Sequence, residues 1–238
     1  MADYSYHGVV VVWDLDDTLF RERDYCREGF KLIHDILRDK YGVKHIAGLP
    51  LRLDSALRNR RNHFALLENI LYKCEPSYSD EKIQTLMNEL VGAYRNNPGA
   101  RISLAPGVRE VLDELARRGI VMALVTDGRS GTQRAKIAAL GLDRYIPEQN
   151  IYISEETGFD KTSPDNFSAI VREYPEAKRF IYVGDNERKD FMMPNLLGWT
   201  TLKAPRNIDN VHEEYVADDI LQCPSIKLSS FSELFANI

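Results

Sequence analysis

Three aspartates fall within four positions, Asp14, Asp16 and Asp17, at the end of the apolar run VVVVWDLDDTLF (9–20). Asp14 and Asp16 are two apart, so on a pleat that persisted both side chains would leave toward one side of a sheet. Two carboxylates ~4 Å apart repel by about 4 kcal/mol at an effective dielectric of ~20. A divalent cation, a nearby lysine or a proton held by one of the pair would offset that repulsion. Read alone, the same aspartates would cap the next helix in solvent.

Three further stretches bear on the choice, and they follow in order along the chain. VMALVTDG (121–128) is an apolar run ending in Thr126, with Asp127 next to it. Given the other stretches, its hydroxyl and the neighbouring backbone N–H groups would hold an anion. DKTSPDNF (160–167) carries Lys161, and IYVGDNERKD (181–190) ends an apolar run in Gly184, Asp185 and, five residues on, Asp190. Lys161 would neutralise clustered carboxylates as a point charge. Each has a plainer reading alone: Thr126 in a turn, Lys161 in solvent, Asp190 at the start of a helix, where the dipole favours it.

Taken together the four stretches resemble the motifs of the haloacid dehalogenase-like superfamily. The resemblance rests on DLDDTL, on the hydroxyl residue closing the second run, on a lysine followed by Pro164 and Phe167, and on the GDxxxxD pattern. It departs from the family pattern at Asp127, where asparagine is common, and at Thr162, where proline is common. The resemblance implies that Asp14 attacks phosphorus to form an aspartyl-phosphate, and that Asp16 protonates the leaving alcohol and then takes a proton from water. It further implies that Thr126, Asp127 and Lys161 bind the phosphoryl group. The implied metal ligands are Asp14, the Asp16 backbone carbonyl and Asp185, with Asp190 supporting the metal's water shell. Such hard oxygen donors suit Mg2+. The aspartate at position 16 favours phosphate esters over dehalogenation. The implied activity is hydrolysis of a small phosphorylated metabolite, a sugar phosphate or a nucleoside monophosphate. A phosphomutase using the same intermediate, and a binding protein on the same fold, are the alternatives.

The elements that must position these residues follow from the apolar pattern. Runs without alternation, at 9–13, 121–125 and 180–183, read as strands buried on both faces, as in a parallel α/β sheet. Ligands in such folds lie at the carboxyl ends of the strands. Shorter strands are expected at 151–154, 199–203 and 226–229, with helices at 105–120, 130–140 and 164–174 and a terminal helix at 231–235. The expected fold is a Rossmann-like parallel sheet with helices on both faces, formed by 1–20 and 106–238. Between lies 21–105, which shows helical spacing at 24–41, at 51–72, and from the capping Ser79 to 94. The family resemblance implies that this insert is a helical cap domain. Arg21, Arg23, Arg52, Arg58, Arg60, Arg61 and Arg129 would clamp a second anionic group or form a solvated basic face.

The totals fit this picture. The chain has 238 residues, 44% of them hydrophobic, and a net charge of −5. That length allows one large domain or a domain with an insert. The acidic balance argues against nucleic acid as partner. Residues 1–8 lack a basic start followed by an apolar segment, and 9–12 is too short to span a membrane, so the expected location is the cytoplasm; the sequence leaves monomer and homodimer both open. Cys26, Cys74 and Cys223 are widely spaced and read as free thiols.

Overall fold

The structure, a computed structural model, describes residues 8–212 and 214–238. Of the segment 1–8, whose expected lack of a targeting signal is noted above, only Gly8 lies within the described residues. The chain divides into two compact units, Met1–Arg21 with Ser103–Ile238, and Glu22–Ile102.

The first unit begins with β1 (Val9–Trp13), buried from Val10 onward. Its alternate residues enter different layers. Val10 and Val12 join Ala123, Val125, Phe167, Ile170, Tyr182 and Phe191 in one cluster, whereas the ring of Trp13 lies 6.5 Å from that of Phe231. Burial of both faces explains why the run is apolar at every position.

The helical unit follows. It comprises α1 (Glu22–Asp35), continued by a π-helical turn over Ile36–Lys40, then α2 (Leu49–Arg58), α3 (His63–Cys74) and α4 (Asp80–Arg95). Phe30, Ile33, Leu37, Leu53, Leu67, Leu71, Ile83 and Leu90 form its core. Ser79 caps α4 by accepting the Lys82 N–H, as expected. The single helix expected over 51–72 is instead two. Arg60 takes a left-handed φ of 55°, and the Asn62 side chain accepts the N–H groups of Phe64 and Ala65. That cap starts a new helix where apolar spacing alone reads straight through. Within the same unit Arg23, 5% exposed, meets Asp54 through Nε and Nη2, both at 2.8 Å.

The chain returns to the first unit beside the point where it left. Phe20 and Leu104 form an antiparallel bridge, and Ala105 N–H donates to Leu19 O at 2.8 Å. From there run α5 (Val108–Arg117), β2 (Val121–Thr126), α6 (Ser130–Leu140), β3 (Ile151–Ile153), the short α7 (Ser154–Thr157), α8 (Asp165–Glu173), β4 (Arg179–Gly184), α9 (Met192–Leu196), β5 (Thr200–Lys203) and β6 (Ile226–Lys227). The six strands are parallel in the order β3-β2-β1-β4-β5-β6. This is the Rossmann-like α/β sheet expected from the sequence. β6 is only two residues long, shorter than the 226–229 expected, and the terminal segment Phe231–Asn237 forms 3-10 turns in place of an α-helix. β1 is central, flanked by β2 and β4, and the strand order reverses there, which is where open α/β sheets present their crevice.

Candidate active site

β1 ends at Trp13, and the chain then leaves the pleat. Thr18 N–H and Leu19 N–H both donate back to Leu15 O, and Asp17 takes a left-handed φ of 56°. The pleat on which a common side for Asp14 and Asp16 was conditional does not persist. Asp14 is 3% exposed, and the Asp16 carboxylate is engaged by Gln133 and Lys136 of α6.

Asp14 is held by three partners. Its N–H donates to Val183 O at 2.9 Å, which ties it to β4. The Thr18 hydroxyl donates to Oδ2 at 2.8 Å, and the Lys161 ammonium donates to Oδ1. Lys161 is itself 5% exposed and reaches Asp190 Oδ1 at 2.7 Å with the same Nζ. Its backbone N–H donates to Asp127 Oδ1 at 3.0 Å, so the third motif is pinned to the second by the residue where asparagine is common.

Asp190 is 1% exposed and its carboxylate is fully engaged. Oδ1 accepts from Lys161 and from the Tyr182 hydroxyl at 3.1 Å; Oδ2 accepts from the N–H groups of Asp185 at 3.0 Å and Asn186 at 2.7 Å. It therefore shapes the turn after β4 and does not cap α9, whose N-terminal residues have no side-chain cap. A Cβ at position 184 would stand 2.6 Å from Asp190 Oδ2, so the glycine of the fourth motif is a condition of this packing.

Asp14, Asp185 and Asp190 bring one carboxylate oxygen each within 4.8 Å of one another. One ammonium stands against three carboxylates. Burial pushes the Asp14 carboxyl up, Lys161 opposes this, and Asp190 and Asp16 add to it, leaving it at about 7. Burial and the charges of Asp190, Asp14 and Asp17 likewise raise Asp185 well above the ordinary carboxylate range. Lys161 is penalised by burial, yet Asp14 and Asp190 outweigh that and raise its pKa well above that of an ordinary lysine. A crowded set of oxygen donors with excess negative charge fits a hard divalent cation. Each of the three carboxylates offers one oxygen to such a cation, Asp190 while also accepting four hydrogen bonds.

Thr126 ends β2 and is 1% exposed; its hydroxyl accepts from Gln133 Nε2 at 2.6 Å. Asp127 Oδ2 also receives Lys189 Nζ at 3.4 Å. Thr18 lies in the first motif without an assigned role, and three partners here escape a motif-based reading: Gln133, Lys136 and Tyr182. Gln133 and Lys136 carry a detectable signal, because they lie at i and i+3 on the helix that follows the second motif. Tyr182 is disguised as an apolar strand residue. Among the arginines, Arg23 is committed to Asp54, and Arg129 lies 4.0 Å from Glu155 at the surface. All three cysteines are free. No helix among the described residues is long and apolar enough to cross a membrane.

Comparison with known proteins identifies the family. The chain is 26% identical over 210 residues to the glyceraldehyde 3-phosphate phosphatase of Methanocaldococcus jannaschii, covering 81% of this chain and 83% of that protein. It is 32% identical over 102 residues to the ribulose-1,5-bisphosphate 5-phosphatase of Halopiger xanaduensis, 42% of each chain. Among solved structures, the magnesium-bound HAD-hydrolase YfnB of Bacillus subtilis superposes with a TM-score of 0.66 at 17% identity, covering 97% of this chain and 98% of that one. The pattern of the haloacid dehalogenase-like hydrolases matches residues 9–198, and the protein belongs to that family.

Proposed function

We propose that this hydrolase is a phosphatase that releases phosphate from a small phosphorylated metabolite, with Asp14 as nucleophile and Mg2+ as cofactor. The observation that carries the reading is the buried Asp14 carboxylate at the carboxyl end of the central strand, held by the Lys161 ammonium and the Thr18 hydroxyl. The relatives named as phosphatases of glyceraldehyde 3-phosphate and ribulose-1,5-bisphosphate support phosphorylated sugars as the substrate class.

Asp14 attacks phosphorus, and the bond from phosphorus to the leaving oxygen breaks as Asp16 gives that oxygen a proton. Asp16 then takes a proton from a water whose oxygen attacks the aspartyl-phosphate, freeing Asp14 and inorganic phosphate. Lys161 and Thr126 spread the charge on the equatorial oxygens, which is the main task in phosphoryl transfer. Mg2+, held by Asp14, Asp185 and the Asp16 carbonyl, would supply further charge neutralisation there. Asp190 keeps Lys161 and the turn at Asp185 in place. Asp127 fixes Lys161 and lies beside the phosphoryl oxygens. The helical segment 21–105 acts as the cap that selects the substrate, with 1–20 and 106–238 as the catalytic core; its place in the chain, between the first motif and α5, supports this.

The test is phosphate release from glyceraldehyde 3-phosphate, ribulose-1,5-bisphosphate, phosphoserine, hexose phosphates and nucleoside monophosphates, with Mg2+ and with chelator, for wild type and Asp14→Asn. Metal-dependent release lost in the variant is the expected result. No release from any ester would overturn the reading, and isomerisation without phosphate release would replace it with a phosphomutase.

A further inference from the structure

α6 turns two long polar side chains inward. Gln133 and Lys136 are 1% and 3% exposed, although residues of these types are mostly found at the surface. They stand at i and i+3, on one face of the helix, and both end on the same carboxylate. Gln133 Nε2 lies 2.9 Å from Asp16 Oδ2, and Lys136 Nζ lies 2.6 Å from Asp16 Oδ1. The Gln133 amide nitrogen also donates to Thr126 Oγ1. Gly128, at φ 145°, makes the room: a Cβ there would stand 3.1 Å from Gln133 Cδ. The Lys136 ammonium is flanked by the Phe20 ring, 5.9 Å from its centroid.

A helix packed on a sheet needs none of this. Burying an amide and an ammonium is costly without partners, and apolar residues of similar volume commonly serve packing as well as a buried ion pair does. What the polar solution adds is direction. With each oxygen engaged by a different side chain from one helix, the Asp16 carboxylate has a fixed orientation, and Gln133 ties that orientation to the Thr126 hydroxyl.

We propose that Gln133 and Lys136 are positioning residues for the Asp16 carboxylate, holding it in line with the leaving oxygen of the phosphate ester. The inference rests on the acid/base reading of Asp16 given above. A positioned acid matters in proportion to how badly the leaving oxygen needs a proton. An alkoxide needs it as its bond to phosphorus breaks, whereas p-nitrophenolate is stable as an anion. A purely structural tie between α6 and the β1 loop would have no such dependence on the leaving group.

The experiment measures kcat/KM, which reports the steps through loss of the alcohol, for wild type, Gln133→Leu, Lys136→Met and Asp16→Asn. The substrates are p-nitrophenyl phosphate and whichever alkyl ester of the panel above is turned over fastest, with Mg2+ present. Lys136→Met is expected to lower kcat/KM for the alkyl ester by roughly 10²-fold and to leave p-nitrophenyl phosphate near wild type, following Asp16→Asn; Gln133→Leu, which also frees the Thr126 hydroxyl, is expected to lose more on the alkyl ester than on p-nitrophenyl phosphate. Equal losses on both substrates, or no loss on the alkyl ester, would overturn the proposal. If Asp16→Asn itself is indifferent to the leaving group, the acid/base reading fails and the proposal with it; if only the α6 variants are indifferent, the proposal alone fails. Should an apolar variant not fold, Gln133→Ser and Lys136→Ser, whose short side chains lose the contact with Asp16, carry the same comparison.

Discussion

Lys161 serves two carboxylates at once, meeting Asp14 Oδ1 and lying 2.7 Å from Asp190 Oδ1 through a single ammonium. All three residues are at most 5% exposed. Removing the cation leaves two buried anions without it, and breaking a buried pair in this way costs about 3–5 kcal/mol. Lys161→Met should lose about that much in urea unfolding and should lose turnover. A variant as stable as wild type would show that the ammonium does not hold the cluster together.

Asp14→Asn separates chemistry from folding. The carboxamide keeps an oxygen for Thr18 and removes a buried negative charge from a crowded set, so the folded state should survive or gain slightly. Phosphate release should vanish. Circular dichroism and a turnover assay check the two halves, and an unfolded or fully active variant would contradict the nucleophile assignment.

Metal binding should register without any substrate. A cation that binds only the folded chain stabilises it by about 2.7 kcal/mol at 100 times its dissociation constant, so Mg2+ should raise the melting temperature and chelator should reverse the rise. Asp185→Asn should blunt that response. An Mg2+ shift identical in the variant would remove Asp185 from the ligand set.

The helical unit has its own acid sensitivity. Burial pushes the Asp54 carboxyl up, but the hydrogen bonds and charge of Arg23, with Arg27 and Arg58, push it further down, for a net fall below the ordinary value. A carboxyl lowered by folding adds stability above its unfolded pKa, and that stability is lost as pH falls through the lowered value. Asp54→Asn should therefore be less stable than wild type near pH 7, with the gap closing in strong acid. Urea unfolding of both proteins across that range measures it; a gap independent of pH would rule out the ion pair as its cause.

How much of this was legible in the sequence varies with the kind of residue. The sheet was, because its central strands are buried on both faces and so lose their alternation, as 9–13 does. The motif residues were, and Asp14, Lys161, Asp185 and Asp190 meet at the carboxyl ends of β1 and β4 and in the loop before α8. The partners of Asp16 were not, because they come from α6, a helix distant in sequence. The break between α2 and α3 is not visible in the apolar spacing, because one side-chain cap at Asn62 outweighs it. The i, i+3 spacing of Gln133 and Lys136 does not by itself mark them, because polar residues on a helix are ordinarily solvated and only the fold brings Asp16 against them.

The bridge between Phe20 and Leu104 bears on how such a chain can diversify. Where the helical unit departs and where it rejoins are already fastened side by side within the sheet-bearing unit. The entropy of closing a loop between fixed ends grows only logarithmically with its length, about 0.6 kcal/mol per doubling. To the sheet, then, the size of what is spliced in at that seam is almost a matter of indifference. A short turn, a hairpin or a whole bundle could occupy the position at similar thermodynamic cost, leaving selection free to exchange one insert for another without disturbing the strand that carries Asp14.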